Sequence, residues 1–195
     1  MEGITLVIPA YNERKYLGDC LESIAKYRTS FVREIIVVDN GSTDGTSEIA
    51  SAFPGIKVIK EPEKGLTKAR QRGLEEAKGD LIAYIDADTR IPPTWFQIAA
   101  DEFKKNSHLV CMSGPYIYYD LSKIGKALVR GYWNFLGIPL YHLTGYMVVG
   151  GNFIAKKSAL ITIGGFDKAI SFYGEDTNIA RRLNTVGKVY FNRRF

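Results

Sequence analysis

Short apolar runs alternate with helix-periodic segments through the first hundred residues, and that alternation restricts the chain to few topologies. Ile4–Ile8, closed by Pro9, and then Ile35–Val38, Lys57–Lys60 and Leu81–Ile85 read as buried strands. From Glu13, the apolar positions Tyr16, Leu17, Cys20, Leu21, Ile24 and Ala25 recur at helical spacing, with Asn12 as the expected N-cap. The cluster Asp39–Gly45 turns the chain and caps a short helix, and Thr67–Lys78 reads as a helix ended by Gly79. A βαβαβαβ order predicts a mostly parallel sheet with helices on both faces, and such sheets bind ligands beyond the carboxyl ends of their strands. Three strand ends run into Pro9–Glu13, Asp39–Asp44 and Asp86–Asp88. Three polar clusters are therefore expected on one sheet edge.

The second half is less regular. Leu109–Met112 and Tyr116–Tyr119 are candidate strands, Leu121–Leu136 a candidate amphipathic helix, Glu175–Asn184 a further helix and Val189–Phe191 a final strand. No Asp, Glu, Lys or Arg occurs from Gly131 to Ala155, yet Pro139, Gly145, Gly150 and Gly151 interrupt the stretch. That pattern favours core plus a surface-lying element over a membrane span. Gly150–Gly151–Asn152 reads either as a close backbone approach to a ligand or as a tight bend. With 195 residues, 46% of them hydrophobic and 24% charged, the chain has the balance of one globular domain, which excludes disorder and collagen-like repetition. Cys20 and Cys111 fall on a helix's apolar face and in a strand, and read as buried small hydrophobes. His108 and His142 have no acidic or thiol partner at ligand spacing. The first ten residues show no secretory pattern, so the expected compartment is the cytoplasm, with peripheral contact at the membrane's inner face as a further option.

Charge is uneven. The first hundred residues hold thirteen basic and fifteen acidic side chains, and the remainder thirteen and six. A basic half suits an anionic partner. Lys123, Lys126 and Arg130 flank the apolar series of Leu121–Leu136, so this helix either lies in a lipid headgroup layer or packs on the sheet.

Asp86–Ala87–Asp88 directly follows an apolar strand. Carboxylates on alternate positions share one face, where they can accept ribose hydroxyls and hold a hard divalent cation. Alone, such a D-x-D is more often a solvated turn. Here Pro9–Glu13, Val37–Thr46, Lys68–Gly73, Asp86–Asp88, Gly164–Asp167 and Gly174–Asp176 occur in order, and together they resemble glycosyltransferase family 2, the inverting enzymes of GT-A fold. The resemblance runs from residue 4 to about Leu183. It implies an α/β fold, a single Rossmann-like domain over 1–195 with a mostly parallel central sheet flanked by helices. Residues about 1–105 would bind the nucleotide and about 106–195 face the acceptor. It further implies a nucleotide-diphosphate sugar donor, UDP-linked in most relatives, a sugar, lipid-linked or polysaccharide acceptor, and Mn²⁺ or Mg²⁺. Pro9, Ala10, Tyr11 and Glu13 would line the base and ribose pocket. Asp39 would accept from the base, as an acceptor-only carboxylate suits an imide N–H.

In the same resemblance Arg70 is the arginine of the family's A-R-N-x-G, with Gln71 in place of the usual Asn, and its fork suits phosphate or base oxygens. Asp86 and Ala87 would contact the ribose and Asp88 the cation. Asp176 would be the catalytic base, Glu175 and Arg182 acceptor-side residues. Asn178 and Ile179 stand where Asp and Leu are common, which leaves the helix intact. Absent the other motifs, Glu175–Asp176 would read only as acids favouring a helix N-terminus.

Two other classes compete. A sugar-phosphate nucleotidyltransferase also binds nucleotide and metal beside an α/β sheet, but Ile8–Glu13 lacks a glycine-rich triphosphate loop. A non-catalytic module binding RNA or anionic lipid would use the basic half and the aromatics of residues 116–141. No RNA-binding or zinc-knuckle motif accompanies them, so no nucleic-acid partner is expected.

Overall fold

The computed structural model describes residues 3–116, 118–170 and 173–195. Seven strands form one sheet in the order β3-β2-β1-β4-β6-β5-β7. They are β1 (Ile4–Ala10), β2 (Val32–Asp39), β3 (Ile56–Lys60), β4 (Leu81–Ile85), β5 (Leu109–Ser113), β6 (Asn152–Lys156) and β7 (Lys188–Phe191). The strands run in one direction except β6, which lies antiparallel between β4 and β5. The mostly parallel α/β sheet expected from the sequence is thus the observed fold.

The period-two pleat sorts each buried strand between two cores. Leu6 and Ile8 of β1 join Leu17, Cys20, Leu21 and Ile24 of α1 (Leu17–Tyr27) and Trp95, Phe96 and Phe103 of α4 (Trp95–Lys105) on one face. Val7 faces the other way, toward Ala69 and Leu74 of α3 (Leu66–Glu76), Leu160 of α7 (Lys157–Thr162) and Ile179 and Leu183 of α8 (Glu175–Leu183). Burial on both faces is why these strands read as unbroken apolar runs. Cys20 and Cys111 are buried and free, their thiol pKa values pushed up by burial.

Several boundaries differ from the expectation. β1 continues through Pro9 to Ala10, because pairing with β4 ends at Val7–Tyr84 and the last residues run against β2 alone. The first helix begins at Leu17 rather than Glu13. Asn12 is not its N-cap but a left-handed residue (φ 56°) whose carboxamide oxygen accepts from Thr43 N–H at 2.9 Å. Helix α2 (Thr46–Ala52) begins where expected, with Asp44 Oδ1 accepting from Thr46 N–H at 3.0 Å. α3 stops at Glu76, so Gly79 is not its C-terminal glycine. A Cβ at Gly79 would lie 2.7 Å from Gly3 O and 2.8 Å from Thr5 N, and the residue is glycine because two backbones cross there.

Of the expected strand Tyr116–Tyr119, residue 117 lies outside the described residues, and Tyr116, Tyr118 and Tyr119 are in no strand. The helix expected over Leu121–Leu136 starts with Ser122 Oγ capping Gly125 N–H and runs further. It comprises α5 (Lys123–Tyr132), a π-helical stretch Trp133–Gly137 and α6 (Ile138–Thr144). Neither α5 nor α6 contributes a buried residue, so this segment does not pack on the sheet as a core helix.

Candidate active site

The carboxyl ends of β1, β2 and β4 bring Glu13, Asp39, Asp86 and Asp88 to one edge. Pro9 and Ala10 are buried strand residues beneath it, and Tyr11 is exposed, its hydroxyl accepting from Lys64 Nζ at 2.9 Å. Asp39 is buried; its Oδ1 accepts from Ser42 N–H at 2.9 Å and its Oδ2 from the Ser47 hydroxyl. Burial raises its pKa, but donors from Ser42 and Ser47 and the charge of Lys60 outweigh that, and the net shift is downward. Asn40 is also buried. Its amide donates to Glu61 O and Glu63 O at 3.0 and 2.8 Å and accepts from Gly65 N–H, which fixes the turn after β2.

Arg70 is the surprise of the site. The family resemblance set its fork against phosphate or base oxygens, yet it is 1% exposed. Its guanidinium donates to Asp86 Oδ1 at 3.1 Å and to Glu175 Oε1, so it ties the end of β4 to the start of α8. Burial lowers its pKa, and the two carboxylates more than reverse the effect. Arg70 Nε and Glu175 Oε2 remain without hydrogen-bond partners among the described residues. Desolvation also raises the pKa of Glu175 despite Arg70. The Gly150–Gly151 pair passes against this network: a Cβ at Gly150 would lie 2.7 Å from Glu175 Oε1, and one at Gly151 would overlap the Asp86 carboxylate. Its close approach is to protein side chains.

Asp86 Oδ2 accepts from the Tyr116 hydroxyl at 3.3 Å, and Ala87 is buried beside it. Glu13 and Asp88 have raised pKa values, from burial first and then from each other's neighbourhood of carboxylates: Asp88, Asp86 and Asp44 act on Glu13, and Asp86 on Asp88. Crowded hard oxygens that repel one another suit a divalent cation. Among the described residues no three His, Cys, Asp or Glu side chains form a closed metal cage. An open site of one or two carboxylates completed by phosphate oxygens is the usual arrangement for Mg²⁺.

At the start of α8, Asp176 is partly exposed and its Oδ1 accepts from Thr177 N–H at 2.7 Å. Arg182 is not brought to the acidic edge. It donates to Gly165 O at 2.8 Å, to Ile163 O and to Asn178 Oδ1, clamping the Gly164–Gly165 turn. Gln71 holds the same turn, accepting from Phe166 N–H at 3.0 Å.

A cavity of about 670 Å³ opens at this edge, lined by Asp86, Asp88, Arg90, Tyr116, Tyr119 and Arg193 among others. Of the expected site residues only Asp86 and Asp88 line it. Sequence reasoning missed Tyr116, although it follows the end of β5 through Gly114–Pro115. It read Asn152 only as part of a backbone approach or bend, whereas its side chain lines the cavity, Oδ1 accepting from Trp95 Nε1 at 2.9 Å and the amide donating to Gly114 O.

Comparison with known proteins agrees with this architecture. The chondroitin synthase of Escherichia coli is 28% identical over 97% of this chain and 28% of its own length. The cholesterol galactosyltransferase of Borreliella burgdorferi is 31% identical over 73% of this chain and 39% of its own. The chain therefore spans less than half the length of either relative. The structure of a mannosyltransferase from Pyrobaculum calidifontis, solved with GDP-Man and Mn²⁺, superposes with a TM-score of 0.77 at 22% identity, covering 97% of this chain and 54% of that one. Residues 5–164 match glycosyl transferase family 2. With Asp39, Asp86, Asp88 and, through Arg70, Glu175 held at one edge of a GT-A sheet, the chain belongs to glycosyl transferase family 2.

Proposed function

We propose that this chain catalyses inverting transfer of a sugar from a nucleotide-diphosphate sugar, UDP-linked, to an acceptor hydroxyl. One observation carries the reading: Arg70 joins Asp86, at the strand ends that would bind the donor, to Glu175 beside Asp176 in a single ion network. Asp39 accepts from the uracil imide, with Pro9, Ala10, Tyr11 and Glu13 around base and ribose, and Asp86 with Ala87 meets the ribose hydroxyls. Arg70 keeps Asp86 and Glu175 in place. Asp88 would hold the Mn²⁺ or Mg²⁺, which when bound neutralises charge on the leaving diphosphate. Asp176 takes the acceptor hydroxyl's proton as that oxygen bonds to the anomeric carbon. The bond to the diphosphate oxygen breaks on the opposite side, and its electron pair leaves with the nucleoside diphosphate. Glu175 orients the acceptor. A lipid-linked or glycan acceptor fits relatives named for cholesterol and chondroitin.

Calorimetry and transfer assays test these roles. Asp88→Asn is expected to weaken Mn²⁺-dependent UDP binding by at least roughly 10–100-fold, the loss seen when even a hydrogen-bond partner of a metal ligand is removed. Asp176→Asn is expected to bind donor like the parent and lose roughly 10²–10⁴-fold in transfer, since its contribution arises only as the proton departs. Equal transfer by Asp176→Asn and parent rules out the base. Pyrophosphate release from a nucleoside triphosphate and a sugar phosphate would favour the nucleotidyltransferase reading instead.

A further inference from the structure

The helical segment from Lys123 to Thr144 is about 33 Å long at the usual rise of 1.5 Å per residue. It meets the domain along one narrow face. Trp133 Nε1 donates to Tyr116 O at 3.2 Å, its ring stacks on Phe191 with centroids 5.4 Å apart, and the Tyr141 hydroxyl donates to Val189 O at 3.4 Å. The opposite face is apolar and open. Ile124, Leu128, Phe135 and Leu143 are 75%, 70%, 85% and 84% exposed, joined by Tyr132 and Leu136 at the three- and four-residue spacing of a single stripe. A continuous stripe of this kind marks an interaction surface.

Charge selects the occupant. No Asp or Glu occurs from Leu121 to Phe166. Lys123 and Arg130 are exposed beside the stripe and form no ion pair with a described residue, whereas Lys126 Nζ donates to Tyr119 O at 2.9 Å. A second copy docked stripe to stripe would set cation against cation, which disfavours pairing. An anionic leaflet answers both features, with apolar side chains at the acyl boundary and basic ones among lipid phosphates. We propose that residues 123–144 lie in the headgroup layer of an anionic membrane and dock the domain there. The segment also borders the catalytic cavity: Trp133 is bonded to Tyr116, whose hydroxyl reaches Asp86, and Arg193 of the cavity wall donates to Asn134. Docking on this face therefore sets the cavity close to the lipid surface.

Vesicle flotation of the 195-residue chain tests the proposal. On phosphatidylcholine vesicles the bound fraction is expected to rise when phosphatidylglycerol is included and to fall with salt. Ile124→Ser/Leu128→Ser/Leu143→Ser changes only exposed positions, so it should melt like the parent and stay unbound. Lys123→Glu/Arg130→Glu should lower partitioning to anionic vesicles by about fivefold or more per residue, with neutral vesicles unaffected. Three results overturn the proposal: a parent that stays in the soluble fraction on anionic vesicles at low salt, a triple-serine variant that floats like the parent, or a parent dimer that this variant converts to monomer. The last would mean that a second copy covers the stripe.

Discussion

Asp39 keeps its charge inside the protein because Ser42 and Ser47 donate to it, and this makes it a site where pH acts on stability. Its folded-state pKa lies below the ordinary carboxylate value. The stabilisation is then complete above the unfolded-state pKa and is lost as pH falls through the folded one. Asp39→Asn should be less stable than the parent at neutral pH, with the gap narrowing as acid protonates Asp39. Urea midpoints across a pH series measure this, and a gap that stays constant into the acid range contradicts it. Asp39 was legible in sequence as a strand-end acid. Arg70 was legible by motif but not by environment. Leu66, Arg70 and Leu74 stand four residues apart, so the arginine falls on the inward face of α3, yet its partners come from residues 86 and 175. Nothing local announces such partners.

Element by element, the strands with helices between them were readable, because parallel strands buried on both faces write themselves as apolar runs. β6 was not. Its first four residues close the charge-free stretch from Gly131 to Ala155, and its place between β4 and β5 is a long-range pairing that no local pattern encodes. The same contrast appears at Gly73, which sequence offers as the glycine of a helical motif. In the structure it is where α3 presses on β1, and a Cβ there would overlap Val7 Cγ1. Alanine favours helix by about 1 kcal/mol over glycine, but overpacking of a core contact costs about 1–3 kcal/mol. Gly73→Ala is therefore expected to destabilise the protein overall. Val7→Ala should cost stability alone yet recover part of the loss when combined with Gly73→Ala, because the two share one contact. Denaturant unfolding of the double-mutant cycle gives the answer, and strictly additive effects would show that α3 yields without touching β1.

For the whole molecule, the sequence conveyed a polar edge and a basic second half, and the structure joins them across 105 residues of chain through Arg70 and Glu175. A donor bound at that edge would engage groups assembled only in the folded state, so it must raise the apparent stability of the entire domain. At one hundred times its dissociation constant a ligand adds about 2.7 kcal/mol. For a domain of this size each kcal/mol moves the midpoint by about 2–4 °C, so a shift of roughly 5–11 °C is expected. UDP with Mn²⁺ should give the largest shift among nucleoside diphosphates, and Mn²⁺ alone little, because Asp88 has few protein partners with which to hold it. In Asp88→Asn the Mn²⁺-dependent part should disappear while the response to UDP alone persists, since the base and ribose contacts proposed for Asp39 and Pro9–Glu13 are untouched. A larger shift with GDP than with UDP would overturn the uridine assignment. A full response to UDP that is indifferent to Mn²⁺ in the parent would remove the cation from the donor site, leaving protons to relieve the crowding that raises the pKa values of Glu13 and Asp88.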